Sequence, residues 1–547
     1  MPFSSVCAIL KETTYSLGGA LMKTLYTGGP ILSLDSAGTA QALLVEDGRI
    51  RAVGPLDDVA PLAQNAKKVS LEGRTLLPAF VDGHSHITAL AQTLGLCQLS
   101  GCGSLEEIGR RMRAFRERWD IPAGAWVIGF GYDQNDLKEG CHPTKRELDA
   151  FLPDCPAMVT HASGHMGVVN SLGLQQLGIT KDTPQPEGGK IGKWEDGTPS
   201  GYLEETAFTS MGSRIPRDPE ENLKNLQRAQ QVYFSHGITT IHEGLCRQPE
   251  WDLLSFAAGK GLLQGDVAAY VDIRDSAALL EEHRDFLGQY HSRLKIAGYK
   301  LFLDGSPQGR TAWVEEPYLG EEPGYRGYPT YQDGQVLAFL EKAQREGVQI
   351  AVHCNGDAAA EQLLRCYEQA FARYGRETRP LMIHAQLLRP DQVPRLKPLG
   401  MVASFFVAHV FHWGDVHVQN FGRERASQIS PTRTALEQGV VFDFHQDSPV
   451  IPPNMVETLW CAVCRRTKSG QVLGENQRLP VGEALRAMTA NAAFALFEEQ
   501  TKGTLSPGKR ADLVLLNRNP LACPPEELRN IQVVETIKDG ETVYRTP

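Results

Sequence analysis

The feature that most limits the fold is a series of short apolar runs separated by helix-patterned stretches through the middle of the chain. Eight runs have strand character: Thr75–Val81, Ile238–His242, Asp266–Ile273, Gly298–Leu303, Val348–His353, Pro380–His384, Met401–Phe406 and Val440–Phe444. Helical periodicity accompanies most of them, as in Asp333–Glu346, Ala358–Tyr374 and Val481–Phe497. Apolar strands alternating with helices predict a parallel α/β architecture, and eight such units fit a (β/α)8 TIM-type barrel. The interval between the first and second runs is too long for a loop. Residues 97–230 are therefore expected to form an insertion within the barrel, with strands of its own at Trp126–Gly131 and Ala157–His161.

The chain ends have a different pattern. Lys23–Tyr26, Gly29–Leu34, Ala42–Glu46 and Arg49–Val53 are short strand candidates, and Asp47-Gly48 is a hairpin signal. Gly508–Leu516, Ile531–Lys538 and Glu541–Tyr544, with Asp539-Gly540 between the last two, repeat the pattern. Neither end is large enough to bury a core unaided. Residues 22–77 and 498–547 are expected to pair into one small β-sandwich domain bracketing a barrel over 78–497. Residues 1–21 lack the basic and apolar segments of a signal peptide and are expected to be a flexible leader or tag.

Composition narrows the partners. A formal charge of -10 and a pI near 5.9 argue against nucleic acid or an anionic membrane. No apolar run reaches the roughly 18 residues needed to span a bilayer. The 11 cysteines are scattered, Cys461 and Cys464 coming closest to a motif, which fits reduced thiols in a cytoplasmic protein. A small-molecule partner is expected, with a homodimer left open.

The chemistry-bearing residues fall at strand ends, where barrels keep their active sites. The first run ends in Asp82-Gly83-His84-Ser85-His86, and alternate strand residues point the same way, so His84 and His86 offer two imidazoles in one direction. His353 and His384 end the fifth and sixth runs, and Asp447 follows the eighth. Four histidines and an acid converging on one barrel mouth point to a metal site with one or two open positions. Lys300 stands inside an apolar run, where a bare ammonium is costly. Burial lowers a lysine pKa, and a neutral amine can take up carbon dioxide to give a carbamate able to bridge two metals. Pairing with Asp304, or an orientation toward the helix layer, is the alternative.

The stretches PAFVDGHSH, HMGVVNSLGL, GYLEETA, HGITTIHEG, GYKLFLDGSPQGRTAWVEEPY, AVHCNGDAA, MIHAQ and DFHQDSPV resemble the amidohydrolase superfamily, in particular its family 3 branch of YtcJ-like proteins and N-substituted formamide deformylases. The resemblance runs from Met22 to Tyr544. It implies a β-sandwich joined to a distorted (β/α)8 barrel, and metal ligation by His84, His86, a Lys300 carbamate, His353, His384 and Asp447. Two departures stand out. The run from Val407 to Asp415 lacks a Gln-Pro segment common in relatives and is expected to be a pocket-lining loop after the seventh strand. His445 stands where many members carry a small residue, and a hydrogen bond to a ligand is its expected role.

The donor set favours zinc, as one or two ions. The expected reaction is hydrolysis of an amide, formamide or related C–N bond by a metal-activated hydroxide, with Asp447 as ligand and catalytic base. His165, Tyr132, Arg310, His409, His412 and Trp413 are candidate substrate contacts. Asn170 beside His165 is as consistent with a structural role. The alternatives are a mononuclear deaminase that uses His84, His86, His353 and Asp447 as ligands and His384 as a substrate or water contact, and a non-catalytic binding scaffold.

Overall fold

A computed structural model describes residues 23–35, 38–134, 136–161, 166–186, 189–210 and 219–546. The expected leader, residues 1–21, lies outside the described residues. At the centre is a parallel sheet whose strands lie side by side in chain order: β1 (Phe80–Val81), β2 (Ile238–Cys246), β3 (Asp266–Asp272), β4 (Leu294–Phe302), β5 (Ile350–Cys354), β6 (Leu381–His384), β7 (Val402–Phe405) and β8 (Phe442–Phe444). Every neighbouring pair is parallel. The two ends of the sheet meet where the Gly83 N–H donates to the Phe444 carbonyl at 3.1 Å, curling it into a distorted (β/α)8 barrel. The strands are apolar almost throughout because both faces are covered, the inner by opposing strands and the outer by helices.

Two of the anticipated helices, Asp333–Glu346 and Asp357–Tyr374, each stop at a left-handed glycine, Gly347 and Gly375. The third is broken into Val481–Ala487 and Ala490–Ala495 around an irregular Thr489. Next to the break, the Met488 carbonyl accepts the Val81 N–H at 3.0 Å, which anchors the short first strand. The first predicted run is likewise divided. Thr75–Pro78 pairs with Leu513–Leu516 in the sheet of the chain ends, whereas Phe80–Val81 enters the barrel. One apolar run therefore serves two sheets.

The chain-end sheet has eight strands, drawn from Lys23–Pro78 and Leu513–Arg545. Both Asp-Gly hairpins have positive φ at each central residue (48° and 72° at Asp47-Gly48, 51° and 82° at Asp539-Gly540), the conformation that matches the twist of flanking strands. A second sheet of six strands, from Leu96–Gln98 to Pro199–Glu205, forms between β1 and β2 and has its own apolar core around Leu99, Met112, Val127 and Val159.

A buried ion network ties the barrel floor to the chain-end sheet. Asp266, at the start of β3, lies 2.6 Å from Lys502 and 2.9 Å from Lys538. Lys538 also meets Asp512 at 2.9 Å, and Glu498 pairs with Lys295 and Lys502. Each charge faces an opposite one, which offsets the cost of taking it out of water. This network sits at the strand beginnings, away from the strand-end histidines.

Candidate metal centre

The site is assembled where the loops after β1 and β8 are knitted together. The Asp447 N–H donates to the His84 carbonyl at 3.2 Å, and the His86 N–H donates to the Ser448 carbonyl at 2.8 Å. These bonds hold the Asp447 side chain against the His84–His86 pair. Asp447 Oδ1 lies 3.8 Å from His84 Nε2 and 3.3 Å from His86 Nε2. His384, ending β6, directs Nε2 to within 4.0 Å of Asp447 Oδ2. Lys300, 1 % exposed on β4, brings Nζ to 3.0 Å from His84 Nε2. His353, at the end of β5, joins through His384, their ring centroids 4.5 Å apart. Non-glycine residues with positive φ mark the rim: His384 at 72°, Ala385 at 47° and Asp447 at 52°. Such conformations are held only where surrounding contacts enforce them.

The electrostatics follow from packing these groups together. Burial pushes the Lys300 amine down to about 7, and among the described residues no carboxylate lies within ion-pairing reach of it. Burial and the neighbouring Lys300 hold His84 well below the usual imidazole range. His86 goes the other way: burial opposes its charge, but Asp447 and Glu243 outweigh it and raise the group to about 9. Asp447 is correspondingly lowered, with His86 overcoming the penalty of burial.

A divalent cation fits this set. One donor atom each from His84, His86 and Asp447 lie within 4.8 Å of one another, as atoms about 2.0–2.2 Å from a common centre must. Asp447 Oδ1 is buried without a hydrogen-bond partner, a cost that a cation would remove.

Two carboxylates stand behind the histidines: Glu243, which the sequence did not single out, and Asp304, expected as a partner of Lys300. Glu243, on β2, places Oε1 at 3.6 Å from His86 Nδ1, while its Oε2 accepts from the Thr88 N–H at 3.0 Å and the Thr88 hydroxyl at 2.6 Å. Asp304, just after β4, lies 3.3 Å from His353 Nδ1 and accepts from the N–H groups of Asn355, Gly356 and Trp313. Asp304 is thus engaged with His353 rather than with Lys300. The Asp304 turn also needs a glycine beside it, because a Cβ at Gly356 would meet the Trp313 carbonyl oxygen at 1.8 Å.

The amidohydrolase family model matches residues 67–544. The chain belongs to the amidohydrolase family. It is 28% identical over 550 residues to the putative amidohydrolase YtcJ of Bacillus subtilis, covering 96% of this chain and 99% of that one. It is 29% identical to the N-substituted formamide deformylase of Arthrobacter pascens, covering 92% and 95%. Among solved structures, an uncharacterized metal-dependent hydrolase from Pyrococcus horikoshii superposes with a TM-score of 0.74 at 26% identity, covering 92% and 99%. Family and fold make the chain an amidohydrolase-type hydrolase, and membership supports the divalent metal that the donor set fits.

The remaining candidates are dispersed. Tyr132 is buried in the inserted sheet, its hydroxyl 3.0 Å from His142 Nδ1 and its ring against His161. Asn170 caps the helix Ser171–Gln176 and bonds the Ala157 and Cys155 backbone, a structural role. His165 lies outside the described residues. Arg310 pairs with Glu321 and donates to Asn420 at 2.8 Å. The run Val407–Asp415 after β7, expected to be a loop, instead opens the helical stretch His409–Ala426, which is broken at Gly422 (φ 76°, ψ 162°). It carries a row of rings outward from the site: His384 against Phe406, then Phe406 against His409 and Trp413. His409 also stacks on His417, and His412 Nε2 lies 2.8 Å from Glu457. Cys354 is buried away from solvent. Among the described residues, no helix is long and apolar enough to cross a membrane.

Proposed function

We propose that the chain hydrolyses a C–N bond in a small amide or formamide at a divalent-metal centre held by His84, His86, a Lys300 carbamate, His353, His384 and Asp447. The observation that carries this reading is the convergence of His84, His86 and Asp447 on one point, beside a buried Lys300 that makes no ion pair among the described residues. The 29% identity to an N-substituted formamide deformylase supports the choice of bond. An all-nitrogen-and-oxygen donor set favours zinc.

When bound, the metal supplies Lewis acidity, lowering the pKa of water and polarising the scissile carbonyl. The side chains do the rest. Asp447 has one oxygen toward His84 and His86 and the other toward His384, so it can anchor through Oδ1 while Oδ2 takes the proton of the attacking water and delivers it to the leaving nitrogen. Glu243 and Asp304 fix the orientations of His86 and His353. Neutral Lys300 would add through Nζ to carbon dioxide, forming an N–C bond and releasing one N–H proton to solvent, and a bound cation would offset the negative charge of the resulting carbamate, which is as costly to bury alone as the ammonium. Phe406 packs against His384 and links it to the His409 and Trp413 rings, so this row supports the site from behind.

The test is Asp447→Asn. Turnover should fall by at least about 100-fold, while metal analysis finds most of the ion retained. Wild-type turnover by the variant would remove Asp447 from the role of base. Metal stoichiometry then distinguishes one ion from two.

A further inference from the structure

His445 is fully buried, and both its ring nitrogens are engaged. Nδ1 lies 2.9 Å from the Ser404 hydroxyl, and Nε2 lies 3.1 Å from His384 Nδ1. The Phe406 ring covers one side at 5.3 Å. An N···N contact between two neutral imidazoles contains a single proton, donated by one ring and accepted by the other. The direction of that one hydrogen bond decides what His384 presents to the metal centre.

Two arrangements satisfy the row Ser404–His445–His384. In the first, His384 Nδ1–H donates to His445 Nε2, and His445 Nδ1–H donates to the Ser404 oxygen. His384 Nε2 is then a bare lone pair. In the second, the Ser404 hydroxyl donates to His445 Nδ1, His445 Nε2–H donates to His384 Nδ1, and His384 Nε2 carries the hydrogen. The carboxylate oxygen facing that atom, Asp447 Oδ2, is 4.0 Å away. This is outside hydrogen-bond reach, so an Nε2–H there would be left without that acceptor. The first arrangement leaves no stranded N–H and presents a ligand atom. The positive φ of His384 and Ala385 gives the ring a reason to need an external hold.

We propose that His445 and Ser404 are positioning residues that fix His384 as the Nδ1–H tautomer, committing its Nε2 to metal ligation rather than to donating a hydrogen bond to substrate. This rests on the metal-centre reading for its consequence, but the tautomer itself is a property of the metal-free protein. The first experiment is therefore nitrogen NMR of chelator-treated protein labelled with 15N-histidine and assigned with His384→Gln and His445→Gln. A protonated Nδ1 and a bare Nε2 on His384 are expected. The reverse tautomer overturns the proposal.

The second experiment measures zinc affinity and the visible spectrum of the cobalt-substituted protein. His445→Met keeps volume without a strong acceptor and should weaken zinc binding about 10–100-fold and shift the cobalt bands. His445→Gln can supply an amide oxygen to accept from His384 Nδ1 and should recover most of the affinity. Equal affinities for the Met and Gln variants, both folded by circular dichroism, overturn the proposal. Failure of the wild type to bind zinc or cobalt defeats the metal-centre reading instead, and the tautomer is then decided by the NMR arm alone.

Discussion

Lys300 gives a prediction with opposite signs for stability and function. In chelator-treated, carbon-dioxide-free protein it is a buried amine beside His84, with no carboxylate in ion-pairing reach among the described residues, and burial, only partly opposed by Asp447, lowers it from an ordinary 10.5 to about 7. At about 1.36 kcal/mol per pH unit, and with half of the folded molecules already neutral at pH 7, that fall means the folded state bears a penalty of about 4 kcal/mol there. Lys300→Met keeps most of the aliphatic stem and removes the charge. Losing the 3.0 Å contact with His84 Nε2 subtracts about 1 kcal/mol, so the variant should be more stable than the wild type by about 3 kcal/mol at pH 7. The sign with pH follows from linkage. Between pH 7 and 10.5 the unfolded chain keeps the lysine proton and the folded chain has released it. The wild type therefore gains stability as pH rises through this window, and the gap to Lys300→Met should close. Urea unfolding at pH 7, 8.5 and 10 measures this. A variant less stable than wild type at pH 7, or a gap that does not change with pH, would refute the account of Lys300 as an unpaired buried amine. The same variant should lose metal-dependent turnover, so the residue is a cost to the empty fold and an asset to the loaded site.

At the other end of the barrel, burial pushes Glu498 up, but Lys502 and Lys295 outweigh it and hold the group down at about 2. From an ordinary 4.5 this corresponds to about 3 kcal/mol, present above pH 4.5 and lost as pH falls toward 2. Glu498→Gln should flatten acid unfolding over that window and, by stranding part of the charge network, cost about 3–5 kcal/mol at pH 7. Glu243→Gln leaves every proposed ligand in place yet loosens the orientation of His86. Zinc titration should show binding weakened about 10–100-fold, and unchanged affinity would remove Glu243 from that role.

Much of the barrel was legible because its strands are buried on both faces and so appear as short apolar runs. Asp333–Glu346 is predicted to the residue, since its periodicity ends at a glycine. The division of Thr75–Val81 between two sheets was not legible, because both halves are equally apolar and only tertiary pairing separates them. The run Val407–Asp415 has a loop pattern, yet helix begins at His409: no side chain caps it and it opens on ring-bearing and β-branched residues with modest helix propensity, so packing rather than local preference sets its conformation. In the site, His84, His86, His353, His384 and Asp447 were found by position at strand ends, and Lys300 by its apolar surroundings. Glu243, and the contact of Asp304 with His353 rather than Lys300, were not legible because an acid beside a glycine at a strand end looks like an ordinary turn. Their meaning depends on which imidazole nitrogen lies across from them, and only three-dimensional distances supply that.

In the proposed function, the strand-end residues cleave a C–N bond only when a divalent cation is bound. That dependence is tested most directly by measuring formate release from a panel of N-substituted formamides, alongside acid release from the matching amides, with protein as purified, after chelation and after zinc is restored. The account predicts turnover of at least one substrate that disappears on chelation and returns with the metal. Turnover that survives complete removal of metal, or zinc-loaded protein inert toward the whole panel, would contradict it.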